Sequence, residues 1–388
     1  MKKITFYLII LLLCSSTFAQ NSYYIFGSNG ISSSYITQPL PIPQDYFGQT
    51  INLPNQDPTL GYIGQLPTNT SNIQMDASGE ILFFIVDDFV YDKNGYFIDQ
   101  LQVNVNGQYA KGASEICIIP NAFHCGRYYI ITTHIDGNKK TPVIFEIDMT
   151  VPNIHDLNNT CEYYGALIGS DGTSNSYNDN PVGFTGEHVS GDIYEPFFPE
   201  DIEPSKQSGV FFGATKLRND NTRLFFVTNG HGLHSYVLNQ SGFQHISYED
   251  FNEGVFNPSQ VRSELEVVLL PNGNYRIAAP YLTNGNGQLN SEGIFTAEYS
   301  QNGVIIPNTI RKFTVFTESG NSFLNSRFKG VEFSKDGRFL YVTHTTNTLE
   351  PDAFEYFDFQ NPTSDLIPIN LPNGIDFQYS FLELSFNN

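Results

Sequence analysis

Tryptophan is absent from the 388 residues, methionine occurs 3 times and cysteine 4 times. So few cysteines exclude a dense disulfide framework, and no Cys-x-x-Cys or Cys/His spacing offers a zinc site. Charge is also scarce, at 15% of residues, which excludes a disordered acidic tail. The 19 basic residues face 40 acidic ones and form no run. Neither a nucleic-acid groove nor an anionic membrane surface therefore finds its complement here. No stretch sustains a 3.6-residue apolar period, and none approaches the ~20 apolar residues of a membrane helix. What remains is rich in 32 Gly, 21 Pro and 14% aromatics, arranged as short Val/Ile/Phe/Tyr runs between Gly, Asn and Asp. That is the composition of an all-β chain.

Residues 1–19 read as a secretory signal peptide: Lys2 and Lys3, an apolar stretch from Phe6 to Leu13, then Thr17 and Ala19 at the −3 and −1 positions of a cleavage site. The expectation is an exported chain without a transmembrane segment, placed outside the cell, at its surface or in the periplasm. Three cysteines follow the leader. Cys117 and Cys125 flank a short Pro/Asn connection between two strand-like runs, so they read either as a hairpin disulfide or, with Cys161, as small buried hydrophobes.

Five segments share one pattern, an alternating strand, a tight polar turn and a more continuous apolar strand. They begin at Ile73, Ile116, Thr215, Val267 and Val331. Their turn residues Gly79, Gly126, Asn221, Gly273 and Gly337 are 47, 95, 52 and 64 residues apart. The long interval implies a degenerate unit, begun by Ala166–Thr173 with its turn at Gly172. A period near 50 residues carrying about four strands is that of a β-propeller blade. The final run, Leu382–Asn388, matches a first strand, and Tyr23–Gly27 matches a second. Pairing them would close the ring and remove its exposed edges. Residues 20–388 are therefore expected to form one β-propeller of seven blades, or six if 160–205 is only a loop.

The segment Phe333–Thr343 resembles the recurring motif of WD40- and TolB-like propellers, without the Gly-His and Trp-Asp signatures of true WD40 blades. The run from Asp76 to Thr133 resembles propeller modules of secreted Bacteroidetes surface proteins, including those tied to type IX secretion and gliding motility. This resemblance implies a scaffold at the cell envelope and specifies no activity.

In such a fold the loops after second strands share one rim. That rim is expected to receive Asp87, Asp88, His134, Asn229, His231, Tyr281 and His344, with Asn29 from the N-terminal segment. His, Asn and Asp there suit ligand binding or acid–base work, and equally suit turns. His231 and His234 stand at i, i+3, poor spacing for a shared metal on a strand. For calcium, Glu115 and Glu264 lie near the starts of first strands, and 171–180 offers an oxygen-rich loop lacking the EF-hand order. No Gly-x-Ser-x-Gly, His-Glu-x-x-His or phosphate-cradling loop occurs. The functional expectation is a non-enzymatic, monomeric scaffold binding an envelope or extracellular protein or glycan. The alternatives are a calcium-dependent, lactonase-like hydrolase and a lectin-like propeller.

Overall fold

The first strand of each hairpin unit packs beside the first strand of the next. A computed structural model of the chain describes residues 70–76, 80–104, 108–110, 116–136, 139–152, 164–167, 210–229, 232–251, 265–284, 290–317, 328–344, 353–361 and 366–369. All regular structure among them is strand. Sheet one is β1 (Ser71–Met75), β2 (Ile81–Val86), β3 (Phe89–Asp92) and β4 (Phe97–Gln100), followed by a two-stranded pair, β5 (Gln102–Asn104) and β6 (Gln108–Tyr109). Sheet two is β7 (Cys117–Pro120), β8 (Arg127–Asp136), β9 (Lys139–Pro152) and β10 (Tyr164–Leu167). Sheet three is β11 (Phe212–Ala214), β12 (Arg223–Asn229), β13 (Gly232–Asn239) and β14 (Gly242–Asp250). Sheet four is β15 (Glu266–Leu269), β16 (Tyr275–Asn284), β17 (Asn290–Tyr299) and β18 (Arg311–Thr317). Sheet five is β19 (Phe328–Phe333), β20 (Phe339–His344), β21 (Ala353–Asp358) and β22 (Ile367–Pro368).

Each of the five sheets is an antiparallel meander of four strands in sequence order. The contacts β1 to β7, β7 to β11, β11 to β15 and β15 to β19 make the first strands one continuous inner row. The second strands carry apolar runs on both faces, as strands buried on two sides do. In β2, Phe83 and Ile85 meet Ile118, Tyr128 and Ile130 of sheet two. Phe84 and Val86 point the other way. The alternation repeats down the row: Tyr129 and Ile131 meet Phe225 and Val227, while Leu224 and Phe226 meet Ile277 and Tyr299. Ala278 then meets Val331, Leu340 and Val342.

The turns that revealed the repeat share a backbone conformation. Gly126, Asn221, Gly273 and Gly337 all take positive φ, at 83°, 61°, 84° and 68°. In three of these turns the preceding side chain accepts the backbone N–H two residues on: Asp220 from Thr222, Asn272 from Asn274 and Asp336 from Arg338. Such caps belong to Asx turns, which explains the recurrent Asn/Asp-Gly pairs. At Gly337 a Cβ would also lie 2.5 Å from Leu270 Cδ2, so the turn of sheet five nests on sheet four.

Arg276 fastens the same junction. Its Nη2 meets Glu298 Oε1 at 2.5 Å, its Nη1 donates to Gly337 O at 2.5 Å, and its guanidinium lies 3.9 Å from the Phe359 ring centre. Arg276→Ala leaves Glu298 without its cation and uncovers Phe359. A loss of about 2 kcal/mol in urea unfolding is expected. A change below ~0.5 kcal/mol would mean that the junction does not depend on it.

Three expectations need correction or placement. Ala166 and Leu167 do not begin a new unit: they form β10, the outer strand of sheet two, with Ala166 opposite Asp148. A short apolar run is the same whether it is an inner or an outer strand, which is why the sequence misled. Gly172, most of 160–205, and the termini proposed to close the ring lie outside the described residues. Finally, no disulfide joins Cys117 and Cys125. Cys117 is buried in β7 opposite Ile131, whereas Cys125 is exposed in the turn beyond Pro120. Three residues of extended strand put the sulfurs roughly 10 Å apart along the hairpin, past disulfide reach.

Candidate functional site

Second strands end on one side of the row, and three of the rim residues singled out from the sequence gather where sheets one and two meet there. Asp87 and Asp88 form the tight turn between β2 and β3. Asp87 sits at φ 55°, a left-handed conformation that Asp tolerates better than most residues. Its Oδ1 accepts Thr70 N at 3.1 Å, and its N–H donates to Thr70 O at 2.8 Å. The Asp88 carboxylate accepts from the Gln100 side chain.

From Asp88 a short ladder crosses to sheet two. Leu101 N donates to Asp88 O and Ala110 N to Leu101 O, both at 2.8 Å, so the β5–β6 pair spans the two sheets. It ends on His134, whose Nδ1 lies 3.3 Å from Tyr109 O. The ring nitrogen facing that carbonyl is the donor, which leaves Nε2 as the ring's second polar atom. That Nε2 is buried and has no hydrogen-bond partner among the described residues. Two residues earlier on the same strand face, Thr132 Oγ1 is also buried and has no partner among the described residues, and the same holds for Thr133 Oγ1 on the opposite face.

The other rim residues fare differently. Tyr281 is not in a loop: β16 runs on to Asn284, and the 2%-exposed Tyr281 packs beside Phe295 with Lys312 Nζ 4.9 Å from its ring centre. His134 likewise lies within β8, which continues to Asp136. Strand pairing, invisible to a motif search, extends both strands past the expected loop. Asn229 closes β12 opposite Gly232, and His344 closes β20 opposite Phe328 and Ala353. Their side chains, together with His231, Glu115, Glu264, Asn29 and the 171–180 loop, lie outside what is described. Among the described residues no three His, Cys, Asp or Glu side chains gather as a metal site.

A second constellation escaped the sequence reading. His234 of β13 is fully buried on the face toward sheet two, with Nδ1 3.3 Å from His245 Nε2 and its ring 4.4 Å from that of Tyr248. Burial, helped by the neighbouring His245, pushes its pKa down to about 3. The signal was strand parity: His234 shares a face with Tyr236 and Leu238, and the search for a pair with His231 ignored that face.

No protein-family model and no curated protein matches the chain. Among solved structures it is similar to the alpha-L-arabinanase of Cellvibrio cellulosa, at 12% identity over 79% of this chain and 96% of that one, TM-score 0.35. It is also similar to the endo-arabinase of Bacteroides thetaiotaomicron VPI-5482, at 10% identity over 80% and 96%, TM-score 0.31. A glycoside hydrolase matches at 12% identity over 68% of this chain, TM-score 0.30, and this chain covers only 48% of it. The expectation of a non-enzymatic interaction scaffold is withdrawn: the structures the chain is similar to are named an alpha-L-arabinanase, an endo-arabinase and a glycoside hydrolase. Among the described residues no helix is long and apolar enough to cross a membrane.

Proposed function

We propose that the chain is an exported, closed β-propeller that binds a neutral glycan at the rim where its second strands end, over the junction of the first two blades. The observation that carries this is the pair Thr132 and His134, which share the face of β8 turned toward sheet one. Both side chains are at least 96% buried, and each has a polar atom without a partner among the described residues. Leaving such a group unsatisfied costs about 1–3 kcal/mol, so the site favours a guest that brings hydrogen bonds. The Thr132 hydroxyl and the His134 ring nitrogen match the mixed donors and acceptors of a sugar ring. Asp87 and Asp88 border the same place. Support for further blades comes from Phe84 and Val86, fully buried on the face turned away from sheet two, and from Phe339, Tyr341 and Tyr356, half-buried on the far face of sheet five.

The test is calorimetric titration with a panel of neutral oligosaccharides, arabinohexaose included. Binding is expected, weakened about tenfold by Thr132→Val and further by Thr132→Val with His134→Phe. Failure of every oligosaccharide to bind, or equal affinity in the double variant, would overturn the reading.

A further inference from the structure

In sheet three two histidines turn ring nitrogens toward one another. His234 of β13 and His245 of β14 lie on the face directed at sheet two. His234 pairs with Tyr248 and Tyr236 with His245, so the two imidazoles meet on the diagonal between neighbouring strands. A register shift beside Ser235 brings His245 and Tyr248, three residues apart, onto that same face.

His234 Nδ1 lies 3.3 Å from His245 Nε2. That exceeds the ~2.7–3.2 Å of an ordinary N–H hydrogen bond. It equals the edge of a tetrahedron, since two nitrogens each ~2.05 Å from one ion at the tetrahedral angle stand about 3.3 Å apart. Ligands at right angles, as on a square-planar or octahedral ion, would stand only about 2.9 Å apart. Burial keeps both rings neutral at ordinary pH, pushing His234 down to about 3 and His245 below its usual value. Each ring therefore has one lone pair to give. His245 also bonds the Ser247 backbone, in the sense that holds a proton on the ring. With that N–H donated to Ser247, Nε2 keeps its lone pair toward His234. A metal-ligating histidine donates its other N–H to a backbone carbonyl in the same way. Aromatic rings fix both imidazoles: Tyr248 stacks on His234 with centres 4.4 Å apart, and Tyr236 stands edge-on to His245 at 5.1 Å.

We infer that His234 and His245 bind a zinc ion between β13 and β14. The ion takes the lone pairs of His234 Nδ1 and His245 Nε2, and each ring keeps its proton on the far nitrogen. No third His, Cys, Asp or Glu joins them among the described residues, which leaves two positions to water. His245 is exposed and gives the ion its way in from solvent. Zinc there ties the outer strand of sheet three to its neighbour. The site stands apart from the rim and does not depend on the glycan reading.

Thermal melting of the whole chain at pH 7, stripped of metal with EDTA and dialysed, tests it with ZnCl2 against MgCl2. A saturable rise in Tm of about 2 °C at tenfold excess over the dissociation constant is expected with zinc and not with magnesium, which prefers oxygen ligands. His245→Gln keeps a hydrogen-bonding side chain at an exposed position and should abolish the rise. His124→Gln, in an exposed turn of sheet two, should leave it intact. Calorimetric titration should count one zinc site fewer in His245→Gln than in the wild type. No rise with zinc, an equal rise in His245→Gln, a rise lost in His124→Gln, or an unchanged number of sites would overturn the assignment.

Discussion

Gly213→Val is expected to destabilise the fold by about 3 kcal/mol or more, read as a lower urea midpoint with unchanged slope. Gly213 lies in β11 of the inner row, where a Cβ would stand 2.5 Å from Leu265 O, 2.5 Å from Leu265 Cδ2 and 2.8 Å from Val267 Cγ2. A side chain can step aside, but the Leu265 carbonyl is backbone at the start of the neighbouring inner strand. The only relief is to move one sheet away from the next. A cost below ~1 kcal/mol would show that the first strands do not approach as closely as the row requires.

Acid should unfold the chain through His234, and the effect is expected to be comparable. Its pKa falls from 6.5 to about 3 on folding. Between those values the unfolded chain holds a proton that the folded chain refuses. Stability is therefore complete above pH 6.5 and declines as pH falls toward 3, by about 3 kcal/mol at pH 4. His245, partly buried beside it and also pushed down, adds to the loss. Asp92 works in the opposite sense. Burial raises its pKa to about 6 against the lowering by the N–H groups of Tyr96 and Asn94. Falling pH between 6 and 3.8 thus adds about 2 kcal/mol. The two contributions separate in variants: the stability difference between wild type and His234→Phe should move by about 3 kcal/mol from pH 7 to pH 4, in favour of the variant. A difference independent of pH would contradict the burial of a neutral imidazole.

Turns were the legible part of this sequence because their chemistry is local. Positive φ at Gly126, Asn221, Gly273 and Gly337 demands Gly or Asn, and the demand can be read without knowing what packs nearby. The unbroken apolar runs of the second strands were legible for a similar reason, since burial on two faces leaves no polar alternation. Position within a sheet was not. Ala166-Leu167 reads as an inner strand and proves to be an outer one, because only pairing with Asp148 and Ile147 decides the matter.

The site was half legible. Aligning strand ends put Asp87 and Asp88 at the turn after β2, where they stand, but put His134 in a loop although β8 continues to Asp136. Tyr281 was misplaced because β16 continues past the aligned position. Nothing local singles out Arg223 except its spacing of two from Phe225 and four from Val227, which puts it on a core face. Among the described residues its guanidinium bonds only Thr215 O, which depends on how the sheets pack and which no local pattern records.

The account stands most directly on ring closure, and one measurement addresses it: an experimental structure of the chain that traces its terminal segments. The account predicts that a strand within Tyr23–Gly27 ladders with Leu382–Ser385, and that further four-stranded sheets cover the far faces of sheets one and five. A map in which those two segments lie apart, with Phe84 and Tyr341 facing no neighbouring sheet, would contradict it.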